Sequence, residues 1–132
     1  MAAEAELTGE LGRLRACVPQ VTGALVVGDG GRVLAESVTG APAGRLGART
    51  SEVLGAALRL ADVAGQGVVD EFLMRGEHGW VVVCTAGSSA VLALVTEPWT
   101  NVGRLRLEAR RSSARIGVLI DGALERLENT PP

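Results

Sequence analysis

The segment from Thr50 to Ala64 constrains this chain more than any other. It reads Thr-Ser-Glu-Val-Leu-Gly-Ala-Ala-Leu-Arg-Leu-Ala-Asp-Val-Ala. Thr50 or Ser51 is expected to cap a helix here, and Gly65 and Gly67 are expected to end it. At ~100° per residue, Val53, Leu54, Ala56, Ala57, Leu58, Leu60, Ala61, Val63 and Ala64 cover roughly 220° of its circumference. A helix lying on a sheet needs a stripe only somewhat wider than ~100°. The surplus must be buried by something else. In a chain of 132 residues, the expected cover is a second copy of itself.

The rest of the chain supplies the layers around that helix. Leu7, Leu11, Leu14 and Val18 form one helical stripe over residues 3–17, with Glu4, Glu6, Glu10, Arg13 and Arg15 off it. Pro19 stops this helix. Two apolar runs, 21–28 and 32–38, flank Asp29-Gly30-Gly31 and predict a hairpin. The segment from Thr39 to Gly47 reads as a loop. Apolar runs at 68–75, 80–85 and 90–96 follow, separated by short turns, and predict an antiparallel meander. After Pro98, Thr100 or Asn101 caps a third helix to about Leu127. Its seam is Val102, Leu105, Ala109, Ile116, Ile120, Ala123 and Leu127, with Arg104, Arg111 and Arg115 opposite. Leu107 and Val118 lie off the seam, positioned either to pack on the first helix or to mark a contact site. The order α-β-β-α-β-β-β-α predicts a single α/β domain, a five-stranded antiparallel sheet sandwiched by helices. The domain spans 1–132, with its core at about 5–127 and a short disordered tail at 128–132.

Composition narrows what such a domain does. All 13 basic residues are Arg and none is Lys. A Walker-type phosphate loop, a Schiff-base enzyme and a lysine-dependent dyad each require an ε-ammonium group, so none fits. The formal net charge of −2 offers no global attraction to nucleic acid or anionic membranes. Phe72, Trp80 and Trp99 are the only aromatic residues, too few for a base-stacking platform. Cys17 and Cys84 stand far apart without metal-site spacing and read as small buried hydrophobes. Residues 1–17 are acidic and amphipathic rather than signal-like, and no apolar run approaches the ~20 residues of a membrane span. The expectation is a soluble cytoplasmic protein.

Catalytic constellations are missing at the level of sequence. Gly28-Asp-Gly-Gly31 lacks the following helix that a phosphate loop needs. His78, the single histidine, falls in a turn with no nucleophile or orienting partner nearby. Ser88 and Ser89 lack the strand–elbow–helix context of a hydrolase nucleophile. Asp70 and Glu71 are adjacent in a strand, point to opposite faces and suit an edge. The arginines of the third helix read either as a solvated face or as a patch for an acidic partner. The chain is not expected to be an enzyme, nor to hold a cofactor, a metal or a small-molecule substrate.

The run Val18-Pro-Gln-Val-Thr-Gly-Ala-Leu-Val-Val-Gly-Asp-Gly-Gly-Arg-Val-Leu-Ala-Glu-Ser37 resembles the first helix end, hairpin and second strand of the roadblock / dynein light chain (Roadblock/LC7) family. The likeness continues through the Ala-rich helix at 50–64 and covers roughly residues 5–127. It rests on apolar positions, small residues and element order rather than on a diagnostic motif. The resemblance implies a roadblock/profilin-like fold and a homodimer, with middle helices packed together and third strands paired edge to edge into one sheet. On this chain the candidate interface is Val53, Leu54, Ala57, Leu58, Leu60, Ala61, Val69, Glu71 and Leu73. It further implies binding to a small Ras-like GTPase as regulator or scaffold, in bacterial relatives sometimes by stimulating GTP hydrolysis. Candidate partner-binding residues are Arg59, Asp62, Arg104, Arg111 and Arg115. Two other readings share the fold: a nucleotide-insensitive adaptor that assembles a signalling complex, and a small-molecule sensor.

Overall fold

Each apolar run becomes a strand because alternate side chains serve the two faces of one sheet. A computed structural model of the chain describes residues 2–129. Its elements are α1 (Ala2–Cys17), β1 (Val21–Val27), β2 (Val33–Val38), α2 (Ala43–Val63), β3 (Glu71–Gly76), β4 (Gly79–Ala86), β5 (Ala90–Thr96) and α3 (Val102–Glu128). The strands lie in the spatial order β2-β1-β5-β4-β3, and all neighbours are antiparallel. The α/β sandwich read from element order is therefore the architecture, with β2 and β3 as its edges. Of the tail expected at 128–132, Glu128 ends α3 and Asn129 follows it as the C-cap, while 130–132 lie outside the described residues.

Both terminal helices cover one face. Leu7, Leu11 and Leu14 of α1 and Leu105, Ala109 and Ile116 of α3 pack on Val26, Val82, Leu92 and Leu94, and all are buried. Leu107 and Val118 stay exposed even though α1 and α3 share this face, so they do not pack on the first helix. Leu127, placed in the seam by spacing, is also exposed. On the opposite face α2 lies alone, over Leu25, Val27, Val83 and Ala93.

Two boundaries differ from the sequence reading, each for a local reason. Helix α2 begins at Ala43 behind Pro42, so most of the expected loop at 39–47 is helical. The glycines there permit close packing rather than breaking the chain. A Cβ on Gly47 would stand 2.7 Å from the Gly31 carbonyl oxygen, and one on Gly31, at φ +83, would stand 2.8 Å from Ala48 Cα. Thr50 is consequently buried within the helix and caps nothing. Strand β3 starts at Glu71 rather than 68, because Gly65 and Gly67 adopt positive φ and leave Val68 in solvent. Asn101 does cap α3, its side-chain oxygen accepting from the Arg104 amide at 3.0 Å.

A polar network joins the two terminal helices. Periodicity puts Glu10 on the solvent side of α1, yet it is buried. Its Oε2 accepts from Ser112 Oγ at 2.7 Å and Arg13 Nη2 at 2.7 Å, with Arg115 3.5 Å away. Burial alone would raise the Glu10 pKa, but the hydrogen bonds from Arg13 and Ser112 and the nearby guanidinium charges hold it below the usual range. Near the β3 edge, Arg106 grips Glu71 through two bonds of 2.8 and 2.9 Å. That fork lowers the Glu71 pKa against the opposing effect of burial. Arg104 donates to the Cys17 carbonyl, satisfying an orphan acceptor at the end of α1. Arg15 ties the same helix to Ser37 of β2 at 2.8 Å.

These carboxyls make stability depend on pH. Glu10 and Glu71 have lower pKa values folded than unfolded, so on acidification the unfolded chain takes up protons first. Their contribution is complete above the ordinary carboxylate range and is lost as pH falls through the lowered folded values. Urea midpoints should therefore fall over that acidic window, and Glu71→Gln should reduce the neutral-pH midpoint and flatten the fall. A wild-type midpoint unchanged across the window would contradict this role.

Candidate protein-interaction surface

The unusual surface of this molecule is the side that carries α2. The helix packs mainly on β1, β2 and the turn between them, reaching Val83 of β4 but leaving β3 and the Val81 end of β4 only partly covered. An apolar groove results, lined by Leu46 and Val53 of α2 and by Phe72, Met74, Val81 and Val83 of the sheet. Phe72 and Val81 are half-buried and Met74 is 47% exposed. Along α2, the outlying apolar residues have no cover at all: Leu60 is 69% exposed and Val63 is 88% exposed. Within α2 only Gly47 and Thr50 are fully buried. Sequence periodicity required more cover for this helix than one sheet provides, and the fold leaves that requirement unmet.

The interface candidates divide by orientation. Val53 and Leu58 are exposed, Leu54, Ala57 and Ala61 half-buried, and Leu60 projects fully from the helix. Val69 is half-buried in the segment before β3. Glu71 and Leu73 turn their side chains away from α2, towards α3: Arg106 holds the first, and the second packs on the α1–α3 core. Their main chains tell a different story. The Thr85 amide donates to the Asp70 carbonyl at 3.0 Å, and Glu71 faces Cys84 in the register. Hydrogen-bonded pairs recur at every second residue of an antiparallel ladder, so Glu71, Leu73 and Arg75 direct their N–H and C=O groups outward from the sheet edge. Phe72 and Met74 are the side chains on the α2 face, and the sequence reading missed them. The two-residue alternation that sends Glu71 towards α3 was the available signal.

The charged candidates also separate. Arg59 and Asp62 are exposed on α2, away from the sheet. Arg104, Arg111 and Arg115 stand on α3, on the opposite side of the molecule, and each has an internal acceptor. Arg104 donates to Cys17, Arg111 pairs with Glu108 at 3.0 Å, and Arg115 reaches Glu10. The structure therefore does not join the two sets into one patch.

Other concavities have distinct chemistry. A polar pocket lies between β3, β4 and α3, lined by Asp70, Glu71, Cys84, Arg106 and Arg110. Within it Glu71 already pairs with both arginines. Burial, reinforced by the negative charges of Glu71 and Asp70, pushes the Cys84 thiol up to about 11. At neutral pH it is therefore a protonated, weakly reactive sulfur. His78 is exposed in the β3–β4 turn. No group of three or more His, Cys, Asp or Glu side chains among the described residues is arranged to hold a metal ion. Nor is any helix among them long and apolar enough to cross a membrane.

Known proteins agree with this architecture. Residues 7–96 match the Roadblock/LC7 domain. An uncharacterized protein of Methanocaldococcus jannaschii is 33% identical over 97 residues, which are 73% of this chain and 84% of that protein. Among solved structures, the gliding protein MglB of Thermus thermophilus superposes with a TM-score of 0.85 at 22% identity, covering 92% of this chain and 93% of that one. MglB of Myxococcus xanthus gives 0.83 at 16% identity, with 90% of each chain covered. Helix–hairpin–helix–meander–helix order, a five-stranded sheet and a domain match over most of the sequence lead to one assignment: the chain belongs to the Roadblock/LC7 domain family.

Proposed function

We propose that this chain is a non-catalytic homodimer that regulates or scaffolds a small Ras-like GTPase in the cytoplasm. One observation carries the dimer: an apolar helix flank, an uncovered half-face of the sheet and an outward-directed strand edge all adjoin one another. A second copy satisfies the three together. Its α2 fills the groove over Phe72 and Met74, and its β3 pairs with the free edge. Exposed apolar area of this kind, next to unpaired backbone, favours association. The family resemblance supplies the class of partner. Arg59 and Asp62 remain outward when two α2 helices pack side by side, so they stand where a GTPase would meet the dimer. The chain acts on its partner by binding, and any stimulation of hydrolysis works through the GTPase's own residues.

Two experiments test the two parts of this reading. Leu60→Glu and Met74→Glu place a charge on surface that is exposed in the single chain, so each variant should still fold. Each should weaken dimerisation by about 2 kcal/mol or more, roughly thirtyfold, in sedimentation velocity. Two variants that stay as dimeric as wild type would contradict the interface.

For the partner, the dimer is used as bait in native lysate with GDP or a non-hydrolysable GTP analogue. The expected capture is a small GTPase enriched in one nucleotide state and reduced by Arg59→Glu or Asp62→Arg. Equal capture in both states would favour the nucleotide-insensitive adaptor, and absence of any GTPase would remove the proposal.

A further inference from the structure

Helices α1 and α3 run antiparallel across the closed face of the sheet, and the groove between them is unevenly charged. Arg104 meets the Cys17 carbonyl, Ser112 meets Glu10, and Val118 and Leu119 line one cavity with Glu6. At ~100° per residue, Arg104, Leu107, Arg111, Arg115 and Val118 share about 80° of the α3 circumference, and all five are exposed. Arg13 joins them from α1, donating to Ser112.

The four guanidinium groups of this band outnumber its two carboxylates, Glu10 and Glu108, which leaves it a charge of +2. The whole chain carries −2, so everything outside the band carries −4. Depth sharpens the contrast. The Glu10 and Glu108 side chains are 10% and 9% exposed, while those of Arg115 and Arg111 are 50% and 56% exposed. A guanidinium has five N–H donors, so the single internal contacts of Arg111 and Arg115 leave most of their donors facing solvent. Past Val118 the acidic residues take over: Asp121, Glu125 and Glu128 of α3 and Glu4 and Glu6 of α1 are all exposed.

The groove also has apolar footholds. Val118, 74% exposed, and the half-buried Leu119 border a cavity of about 460 Å³ that Glu6, Glu10 and Arg115 frame. Leu107 is 45% exposed and lies three helical turns away, roughly 16 Å along α3. The α1 rim is low, because Gly9 and Ala16 are exposed and a Cβ at Gly9 would meet nothing within 4 Å.

We propose that this groove docks an acidic amphipathic helix of another protein, one with apolar residues three turns apart on a face and carboxylates between them. One apolar residue packs on Leu107 and the other enters the cavity beside Val118. The carboxylates meet Arg104, Arg111 and Arg115, and the low rim lets the helix lie against α1. This is helix-in-groove recognition, with complementary charge selecting the partner. An anionic membrane or a nucleic acid is an extended negative surface and would run on past Val118 into the acidic end. A helix of limited length stops short of it. The groove lies on the opposite side of the sheet from α2, so it does not depend on how α2 is covered.

The probe is a synthetic helical peptide of about five turns, with leucines three turns apart and glutamates on the same face between them. Fluorescence anisotropy should show it binding the full chain, with affinity falling as salt screens the charges. Arg111→Gln and Gly9→Leu should each raise the dissociation constant about tenfold, and a peptide with lysine in place of glutamate should not bind. Gly9→Leu adds bulk at an open helical position and should be at least as thermostable as wild type, so its loss of binding does not come from unfolding. Leu60→Glu, on the opposite side, should bind the peptide as wild type does. No binding by the glutamate peptide, or binding unchanged in both groove variants, overturns the proposal. So does capture of equimolar phosphatidylserine and phosphatidylcholine vesicles in place of the peptide, or self-association of the chain that both groove variants abolish.

Discussion

Helix coverage of the sheet is the constraint on which the rest of this structure depends. Five strands spaced 4.7–4.9 Å apart make a sheet roughly 20 Å across, and a helix with its side chains covers about 10 Å. Two helices are needed to close each face. α1 and α3 close one, where Leu11, Leu14, Leu105 and Ile116 are wholly buried. α2 is alone on the other and covers mainly the β1–β2 side, so Phe72, Met74 and Val81 of the β3–β4 side are only partly covered. The apolar flank of α2 and the bare half-face are two parts of one deficit, which the proposed second copy would correct together.

The closed face has the opposite character. Gly117 lets α3 approach the β4–β5 turn so closely that a Cβ there would stand 2.6 Å from the Gly87 nitrogen. Asp121 then holds Ser88 from the same helix. Glu10, Ser112, Arg13 and Arg115 cross-link α1 to α3, and Arg106 fastens α3 to the first residue of β3. In the proposed dimer this last contact links stability to association. It anchors from behind the edge strand whose outer main chain is free to pair, so the edge is presented as a rigid template.

How much of this was legible in the sequence follows from the range of each interaction. Element order and sheet class were readable because hydrophobic alternation and turn residues are local. The unmet burial of α2 was readable because 3.6-residue periodicity counts apolar area without needing to know what covers it. The start of α2 was not readable, since Gly44 and Gly47 signal a loop until one knows that Gly31 packs against the helix. Glu10 looked solvated because its partner Ser112 lies on another helix, far along the chain. The arginines of α3 read as a solvated face or a single patch for the same reason, although tertiary contacts tie Arg104 to Cys17, Arg106 and Arg110 to Glu71, and Arg115 to Glu10. Phe72 and Met74 were missed through strand parity, which depends on which face the neighbouring elements occupy.

Hydrogen exchange along the two sheet edges tests the central claim most directly, because it reads the backbone rather than any side chain. The account predicts that the outward amides of Glu71, Leu73 and Arg75 are protected in the wild-type protein and exchange quickly in the Leu60→Glu variant. Outer amides of β2, the edge that no second copy covers, should exchange quickly in both. If the β3 amides of wild type exchange as fast as those of β2, edge-to-edge pairing does not occur and the half-covered sheet is closed by something other than a second copy of this chain.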